Sequence, residues 1–148
     1  MPDVRAPGVS IERTARGIIM QGNALLVCQG IDDGIVHLPG GHIDGRESPE
    51  QALRREIHEE LLGIVTGMVF LGVLETEWYR GGQLNTIPVH EVMHLFRVQA
   101  LFPPLEGVAY RGEAHLRVRW IMASDALKEH LMPLEVIPLI WNSGGAYG

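Results

Sequence analysis

Apolar residues occur in short runs separated by Gly, Pro and Asn, a pattern typical of β-strands joined by turns. Residues 17–29 contain two runs rich in Ile, Leu and Val on either side of Gln21-Gly22-Asn23. Because Gly and Asn tolerate the positive φ angles of tight turns, we predict a β-hairpin here. Further strands are predicted at Val36–Leu38, Met68–Leu74, Val89–Ala100 and Arg117–Met122.

One segment carries the signals of a well-defined helix. Ser48 is a suitable N-cap, Pro49 suits the first helical position, and Gln51 completes a capping box. We predict that this helix runs from Pro49 to about Leu62 and ends at Gly63, because glycine readily takes the left-handed C-terminal position.

The remaining segments are shorter or richer in Gly and Pro. Residues 79–85, 101–114 and the pair Gly40-Gly41 after Pro39 are predicted loops. A short helix is predicted to open with Ser124 as its cap, and a last helix within Pro133–Trp141. This order of strands and helices predicts an α/β domain with a mixed sheet packed by helices.

Three glutamates share one face of the predicted helix. Glu56, Glu59 and Glu60 fall within a sector of about 100°, because their spacings are three and four residues. Like charges so close destabilise a helix unless cations lie between them. Carboxylates favour Mg²⁺ or Mn²⁺ over zinc, and Mg²⁺ commonly shares its ligands with substrate phosphates. The adjacent apolar stripe consists of Leu53, Ile57 and Leu61.

Composition limits the class of protein. The chain has 148 residues, of which 46% are hydrophobic and 20% charged, so we predict one globular domain spanning residues 1–148. The net charge of −6 argues against nucleic acid as the main partner. The N-terminus lacks a signal-peptide pattern, and no run of 18 apolar residues occurs. A single cysteine, Cys28, suits a reducing compartment, so we expect a cytoplasmic protein. We expect no membrane partner, and either a monomer or a homodimer.

The loop and helix together resemble the signature of the Nudix hydrolases. That signature is Gly, five residues, Glu, seven residues, then Arg-Glu-apolar-any-Glu-Glu, one residue, Gly and an apolar residue. The chain matches it in register with Gly41, Glu47 and the run Arg55-Glu56-Ile57-His58-Glu59-Glu60. The spacing departs only after Glu60, because glycine comes one residue late, at Gly63. We therefore expect the helix to run one residue longer.

The resemblance implies a fold, an activity and a set of roles. The fold is a single-domain Nudix-like α/β/α sandwich with a mixed β-sheet. The activity is the hydrolysis, assisted by Mg²⁺ or Mn²⁺, of a nucleoside diphosphate linked to another group. The roles fall on metal binding by Gly41, Glu56, Glu59 and Glu60, on catalysis by Glu56 or Glu59, and on structural support by Gly40, Glu47 and Arg55.

The general base is open to two interpretations. Glu113 lies seven residues before Trp120, where similar proteins carry loop glutamates ahead of an aromatic-containing strand, so it is a catalytic candidate. A glutamate of the helix is the other. His90 and His94 alternate onto one face of a predicted strand and are candidates for substrate binding. Candidates for stacking on the nucleobase of a substrate are the aromatic residues Trp78, Tyr79 and Tyr110.

Two hypotheses from different classes remain. The first is a pyrophosphohydrolase acting on a small nucleotide, either a nucleoside triphosphate, ADP-ribose or another nucleotide sugar, or a dinucleoside polyphosphate. The second is a nucleotide-binding sensor or scaffold with the same fold and no turnover. Because all three helix carboxylates are present, the enzyme is favoured. Substrate choice depends on pocket walls outside the signature.

Overall fold

The computed structural model describes residues 10–80, 87–104, 109–111 and 113–145. Its strands are β1 (Ser10–Ile18), β2 (Met20–Gln21), β3 (Ala24–Gly30), β4 (Val36–His37), β5 (Gly40–His42), β6 (Ile64–Arg80), β7 (Ile87–Leu101), β8 (Ala109–Arg111) and β9 (Glu113–Met122). The helices are α1 (Pro49–Leu61) and α2 (Ile137–Gly145), with 3₁₀ turns at Ala123–Asp125 and Leu134–Val136.

The strands form two sheets. The first has the order β5-β1-β7-β6, in which β1 and β7 are parallel and the other pairs antiparallel. The second has the order β2-β3-β9-β8, with β4 paired to β3. The predicted hairpin is confirmed as β2 and β3, and Gly22 has the positive φ of 57° that its turn requires. The first sheet is thus mixed, as predicted, and the strand pairs of the second are antiparallel.

Two groups of buried side chains hold these layers together. One group packs the apolar stripe of α1 against both sheets and includes Ala15, Leu26 and Phe96; we call it the α1-side core. The other packs the opposite faces of the sheets against α2 and includes Ile18, Leu25 and Ile140; we call it the α2-side core. Strand β3 contributes to both, because Leu25, Leu26, Val27 and Cys28 are all fully buried. A strand buried on both faces reads as a continuous apolar run rather than an alternating one. The result is an α/β/α sandwich with Cys28 in its core.

The start of α1 follows the prediction and its end does not. Ser48 Oγ accepts from Gln51 N at 3.1 Å while Gln51 Oε1 accepts from Ser48 N at 2.9 Å, which confirms the capping box. At the other end the helix stops at Leu61, and Leu62 takes the left-handed conformation at φ 55°. The expectation of a longer helix closed by Gly63 was therefore wrong. Leu62 stands in the conformation that glycine favours.

Other boundaries also differ from the prediction. Gly40-Gly41 belong to β5 rather than to a loop, because their backbone pairs with β1. Within 101–114, the described residues 109–111 and 113–114 are strand, since β8 and β9 pair as a hairpin. Strands β6 and β7 extend beyond the predicted limits and include Tyr79. The predicted helix at Ser124 is a single 3₁₀ turn without a side-chain cap.

A buried ion pair links β1 to β7. Arg16 Nε donates to Glu91 Oε2 at 2.9 Å, and Thr14 Oγ1 donates to the same oxygen at 2.6 Å. Burial opposes charge on both partners, yet the pKa of Glu91 is lowered by the Arg16 charge and that of Arg16 is raised by Glu91. His37 lies beside them, with Nδ1 3.3 Å from Arg16 Nη1. Burial and the Arg16 charge lower the pKa of His37 to about 4.

No helix within the described ranges is both long and apolar enough to cross a lipid bilayer.

Replacing Leu62 with Gly should stabilise the protein. A non-glycine residue in the left-handed region costs about 1 kcal/mol or more, and half of the Leu62 side chain is exposed, so its loss costs little. We expect a melting temperature about 2–4 °C higher by differential scanning fluorimetry. Leu62→Ala is the control, because it removes the side chain and keeps the strained backbone. An equal gain in both variants would contradict the explanation.

His37 should weaken the fold in mild acid. Below its ordinary pKa of about 6.5 the unfolded chain binds a proton that the folded protein refuses until about pH 4. Its contribution is therefore complete above pH 6.5 and falls as the pH drops towards 4, by about 3 kcal/mol at most. Urea unfolding between pH 7 and 4 should show a steeper loss for wild type than for His37→Asn. Parallel curves would remove His37 as the cause.

Candidate functional site

The guanidinium of Arg55 joins the loop after β5 to helix α1. Nε and Nη2 donate to the two carboxylate oxygens of Glu47 at 2.7 and 3.0 Å, a bidentate pair. Nη2 also donates to the carbonyl of His42 at 3.0 Å and lies 3.3 Å from Asp44 Oδ2. Because Asp44 N in turn donates to Glu47 Oε1 at 2.9 Å, the loop is fastened to the helix at several points.

The third nitrogen of Arg55 faces the acidic side of the helix. Nη1 lies 3.1 Å from Glu56 Oε1 and 3.4 Å from Glu59 Oε2. The Glu47 hydrogen bond, together with the Glu56 charge, raises the pKa of Arg55. The same hydrogen bond lowers the pKa of Glu47. One cation thus offsets the repulsion among carboxylates that the sequence predicts.

Glu60 has a different environment from the other two helix glutamates. It is 2% exposed, and its Oε1 accepts from the backbone N of Gly40 at 2.9 Å. A buried polar group needs such a hydrogen bond to offset its loss of contact with water. Glu56 is largely buried and Glu59 is 41% exposed at its side chain. The structure therefore places the three on one face but at three depths.

Both glycines of β5 lie in close contact with neighbouring groups. Gly40 has φ 128°, and a Cβ there would collide with the carbonyl oxygen of Ala15. A Cβ on Gly41 would lie 2.7 Å from Glu56 Oε1. A side chain at Gly41 would therefore require the Glu56 carboxylate to move away from the strand backbone. The glycine pair thus brings backbone and acidic side chains to one place.

The donor atoms around Gly41 suit a hard divalent cation, because they are carboxylate and carbonyl oxygens. Within the described ranges, however, no three His, Cys, Asp or Glu side chains are grouped to hold an ion. Arg55 stands between Glu56 and Glu59, which explains why the shared face is not a ready cage. The exposed Glu59 side chain has room to turn away from Arg55. The residues fit a metal by their chemistry, provided that Arg55 releases these carboxylates.

The two histidine candidates have protein contacts of their own. His90 is 7% exposed, with ring nitrogens 3.5 Å from Glu77 Oε1 and 3.9 Å from Glu75 Oε2. His94 Nδ1 lies 3.2 Å from the carbonyl of Thr14, and its ring contacts Phe70. They share one face of β7, as alternation predicts. Their role in substrate binding stays a prediction.

Among the aromatic candidates, Trp78 is tied to the buried ion pair, since its Nε1 donates to Glu91 Oε1 at 3.2 Å. Tyr79 is 60% exposed. The side chains of Tyr110 and Glu113 lie outside the described residues, although the backbone of Glu113 begins β9. The expectation of a loop at Glu113 was therefore wrong for its backbone, and its catalytic role stays a prediction.

Sequence reasoning missed the role of Arg16. Glu12, Thr14 and Arg16 alternate along β1 onto one face, and all three are buried or largely buried. Glu12 Oε1 lies 2.8 Å from Nε2 of His42, the residue that follows Gly41. Polar residues at every second position of a predicted strand are a signal that could have identified this polar row.

The chain matches the family model of the NUDIX domain over residues 11–139. Solved structures share the fold at low identity. A NUDIX hydrolase from Nitrosomonas europaea has a TM-score of 0.64 at 20% identity, covering 90% of this chain and 89% of that one. The MutT protein from Bacillus halodurans has a TM-score of 0.65 at 18% identity, covering 88% and 80%. A MutT NUDIX hydrolase from Burkholderia pseudomallei has 0.57 at 20% identity, covering 78% and 85%.

No curated protein sequence matches the chain. The family match nevertheless spans most of the chain, and it contains the glycine strand, the Arg55 contacts and the acidic face of α1. The structural neighbours carry the same architecture of sheets and helices. The chain therefore belongs to the Nudix family and is a Nudix-type hydrolase.

Proposed function

We propose that this protein hydrolyses the pyrophosphate linkage of a nucleoside diphosphate joined to another group, with Mg²⁺ or Mn²⁺ as cofactor. The observation that carries the proposal is the approach of Gly41 to the acidic face of α1, where a Cβ would lie 2.7 Å from Glu56 Oε1. That approach brings the backbone of β5 beside carboxylates of α1, of which Glu59 is the most exposed. Such a donor set matches the metal requirement of phosphate chemistry.

The helix glutamates would bind the metal with the Gly41 carbonyl. Glu56 and Glu59 would exchange the Arg55 contact for the ion, and Glu60 would keep one oxygen on Gly40 N. A bound divalent cation supplies positive charge that neutralises the diphosphate and its leaving group. Arg55 remains fixed by Glu47 throughout, so the loop keeps its place while the carboxylates rearrange.

A carboxylate would accept the proton of the attacking water. We propose Glu113 for this step, because its strand β9 contacts α1. Glu56, which lies on α1 itself, is the alternative. Attack of water on phosphorus needs no covalent intermediate. The base would hold the water and take its proton as the new P–O bond forms, while the bridging P–O bond breaks and the other phosphate leaves with the bond's electron pair. His90 and His94 are proposed substrate contacts on the neighbouring strand.

The reaction is tested by a panel of nucleoside triphosphates, nucleotide sugars, ADP-ribose and dinucleoside polyphosphates. Each is incubated with Mg²⁺ and with Mn²⁺, and both products are identified by mass. We expect cleavage within a pyrophosphate linkage that EDTA abolishes. Nucleotide binding by calorimetry without any turnover across the panel would contradict the enzyme and favour the sensor or scaffold.

Glu59→Gln and Glu60→Gln should each lower turnover by about a hundredfold or more, because a neutral amide cannot neutralise a metal as a carboxylate does. Folding should be preserved in both variants. In Glu60→Gln the amide oxygen can still accept from Gly40 N, and the Glu59 side chain is partly exposed. The measurement is kcat at saturating Mg²⁺. Glu50→Gln is the matched control, because Glu50 is an exposed residue in the first turn of the same helix. Near-wild-type turnover in both glutamine variants would remove them from the site.

Glu113→Gln should lower kcat by about a hundredfold or more if Glu113 is the base. Its Mn²⁺ affinity without substrate should stay within a few-fold of wild type, because the residue acts on water rather than on the ion. Single-turnover kinetics separate this chemical step from product release. A variant that keeps more than about half of the wild-type rate would transfer the role to Glu56.

A further inference from the structure

We propose that Arg16 is a positioning residue for this site: paired with buried Glu91, it holds the Gly40 carbonyl and thereby fixes the backbone N–H that positions Glu60. The inference rests on the proposed function, since it assigns Glu60 to the metal. It adds to that function a residue of β1 that lies outside the Nudix signature.

Arg16 reaches the site through one nitrogen. Nη1 donates to the carbonyl of Leu38 at 3.1 Å and to that of Gly40 at 3.3 Å. Gly17 N donates to the intervening carbonyl of Pro39 at 2.9 Å. Three consecutive carbonyls of this segment are thus held from β1, and the segment leads directly into the glycine strand β5.

Gly40 forms hydrogen bonds with both Arg16 and Glu60 of helix α1. Its carbonyl accepts from Arg16 and its N–H donates to Glu60 Oε1 at 2.9 Å. The φ of Gly40 is 128°, and its backbone pairs with Arg16 of β1. The hydrogen bonds on its two sides add to this strand pairing and hold the N–H toward Glu60.

Glu91 fixes the orientation of the guanidinium. Its Oε2 binds Arg16 Nε at 2.9 Å and Thr14 Oγ1 at 2.6 Å, and its Oε1 binds Trp78 Nε1 at 3.2 Å. With three donors from β1 and β6, the carboxylate cannot turn, so the planar guanidinium directs Nη1 toward the carbonyls. A lysine at position 16 could pair with Glu91 but could not make both sets of contacts.

Stability alone does not explain this arrangement. Replacing a buried ion pair by apolar side chains of similar volume is often neutral or stabilising, and the surroundings of the pair include the apolar side chains of the α2-side core. The contacts of Arg16 with Leu38 and Gly40 are what apolar residues could not reproduce. Substituting a residue that holds a metal ligand without touching the metal commonly lowers metal affinity or activity about 10- to 100-fold.

The test uses two variants that separate positioning from folding. Arg16→Lys keeps a charge for Glu91 and removes the planar fork. The double variant Arg16→Met with Glu91→Leu removes both charges, so neither is left buried and unpaired. Arg119→Lys is the control, because Arg119 of β9 forms a 2.8 Å ion pair with Glu129 in the turn after that strand and has no role in the proposed site. Mn²⁺ affinity is measured by electron paramagnetic resonance without substrate, alongside melting temperature, kcat and KM.

We expect both Arg16 variants to bind Mn²⁺ about tenfold more weakly and to lose about tenfold or more in kcat. KM should stay within about threefold, and the double variant should melt near the wild-type temperature. The control should match wild type in every measurement. Wild-type Mn²⁺ affinity in Arg16→Lys would overturn the proposal even if the double variant failed to fold.

The failure of the proposed function would be visible separately. A wild-type protein that binds Mn²⁺ but hydrolyses no nucleotide of the panel would contradict the enzyme, and the Mn²⁺ affinities of the variants would still decide the role of Arg16. A wild-type protein that binds no Mn²⁺ would overturn both proposals.

Discussion

The fork between Arg55 and Glu47 is the interaction on which the site depends. It ties a loop of irregular backbone to a rigid helix through two hydrogen bonds of 2.7 and 3.0 Å. The same guanidinium faces Glu56 and Glu59, so one side chain both fastens the loop and neutralises the acidic face. Without this cation, carboxylates at spacings of three and four would repel each other and the helix end would lose stability.

The glycine strand sets the distance between the helix and the sheet. Gly40 and Gly41 pass so close to Ala15 and Glu56 that a side chain on either would displace its neighbour. Because the two glycines have no side chains to pack, hydrogen bonds to their backbone and to the residues before them help to hold this approach. Strand β1 provides that support through Arg16 and Gly17, and the buried Glu91 holds Arg16 in turn. Polar groups in the interior thus serve the geometry of the site.

Leu62 shows how a departure from a family pattern is interpreted differently in sequence and in structure. In the sequence, the glycine of the signature is one residue late, which predicts a longer helix. In the structure the helix keeps its length, and Leu62 takes the left-handed conformation at φ 55°. Gly63 has a different surrounding, since a Cβ there would lie 3.1 Å from Ile57 Cγ2 and would require that side chain to shift slightly. The change is therefore a substitution at the helix end and leaves the spacing of the glutamates intact.

The sequence by itself determined the hairpin around Gly22, the capped start of α1, the apolar stripe of Leu53, Ile57 and Leu61, and the shared face of Glu56, Glu59 and Glu60. These features depend on contacts within a few residues, so local chemistry specifies them. Only the tertiary structure decided that Glu60 is buried on Gly40, that Arg55 makes a bidentate pair with Glu47 of the preceding loop, and that Arg16 pairs with Glu91 across 75 residues of chain. Such contacts arise when separate strands and a helix pack together, and no local pattern contains the distances that packing creates.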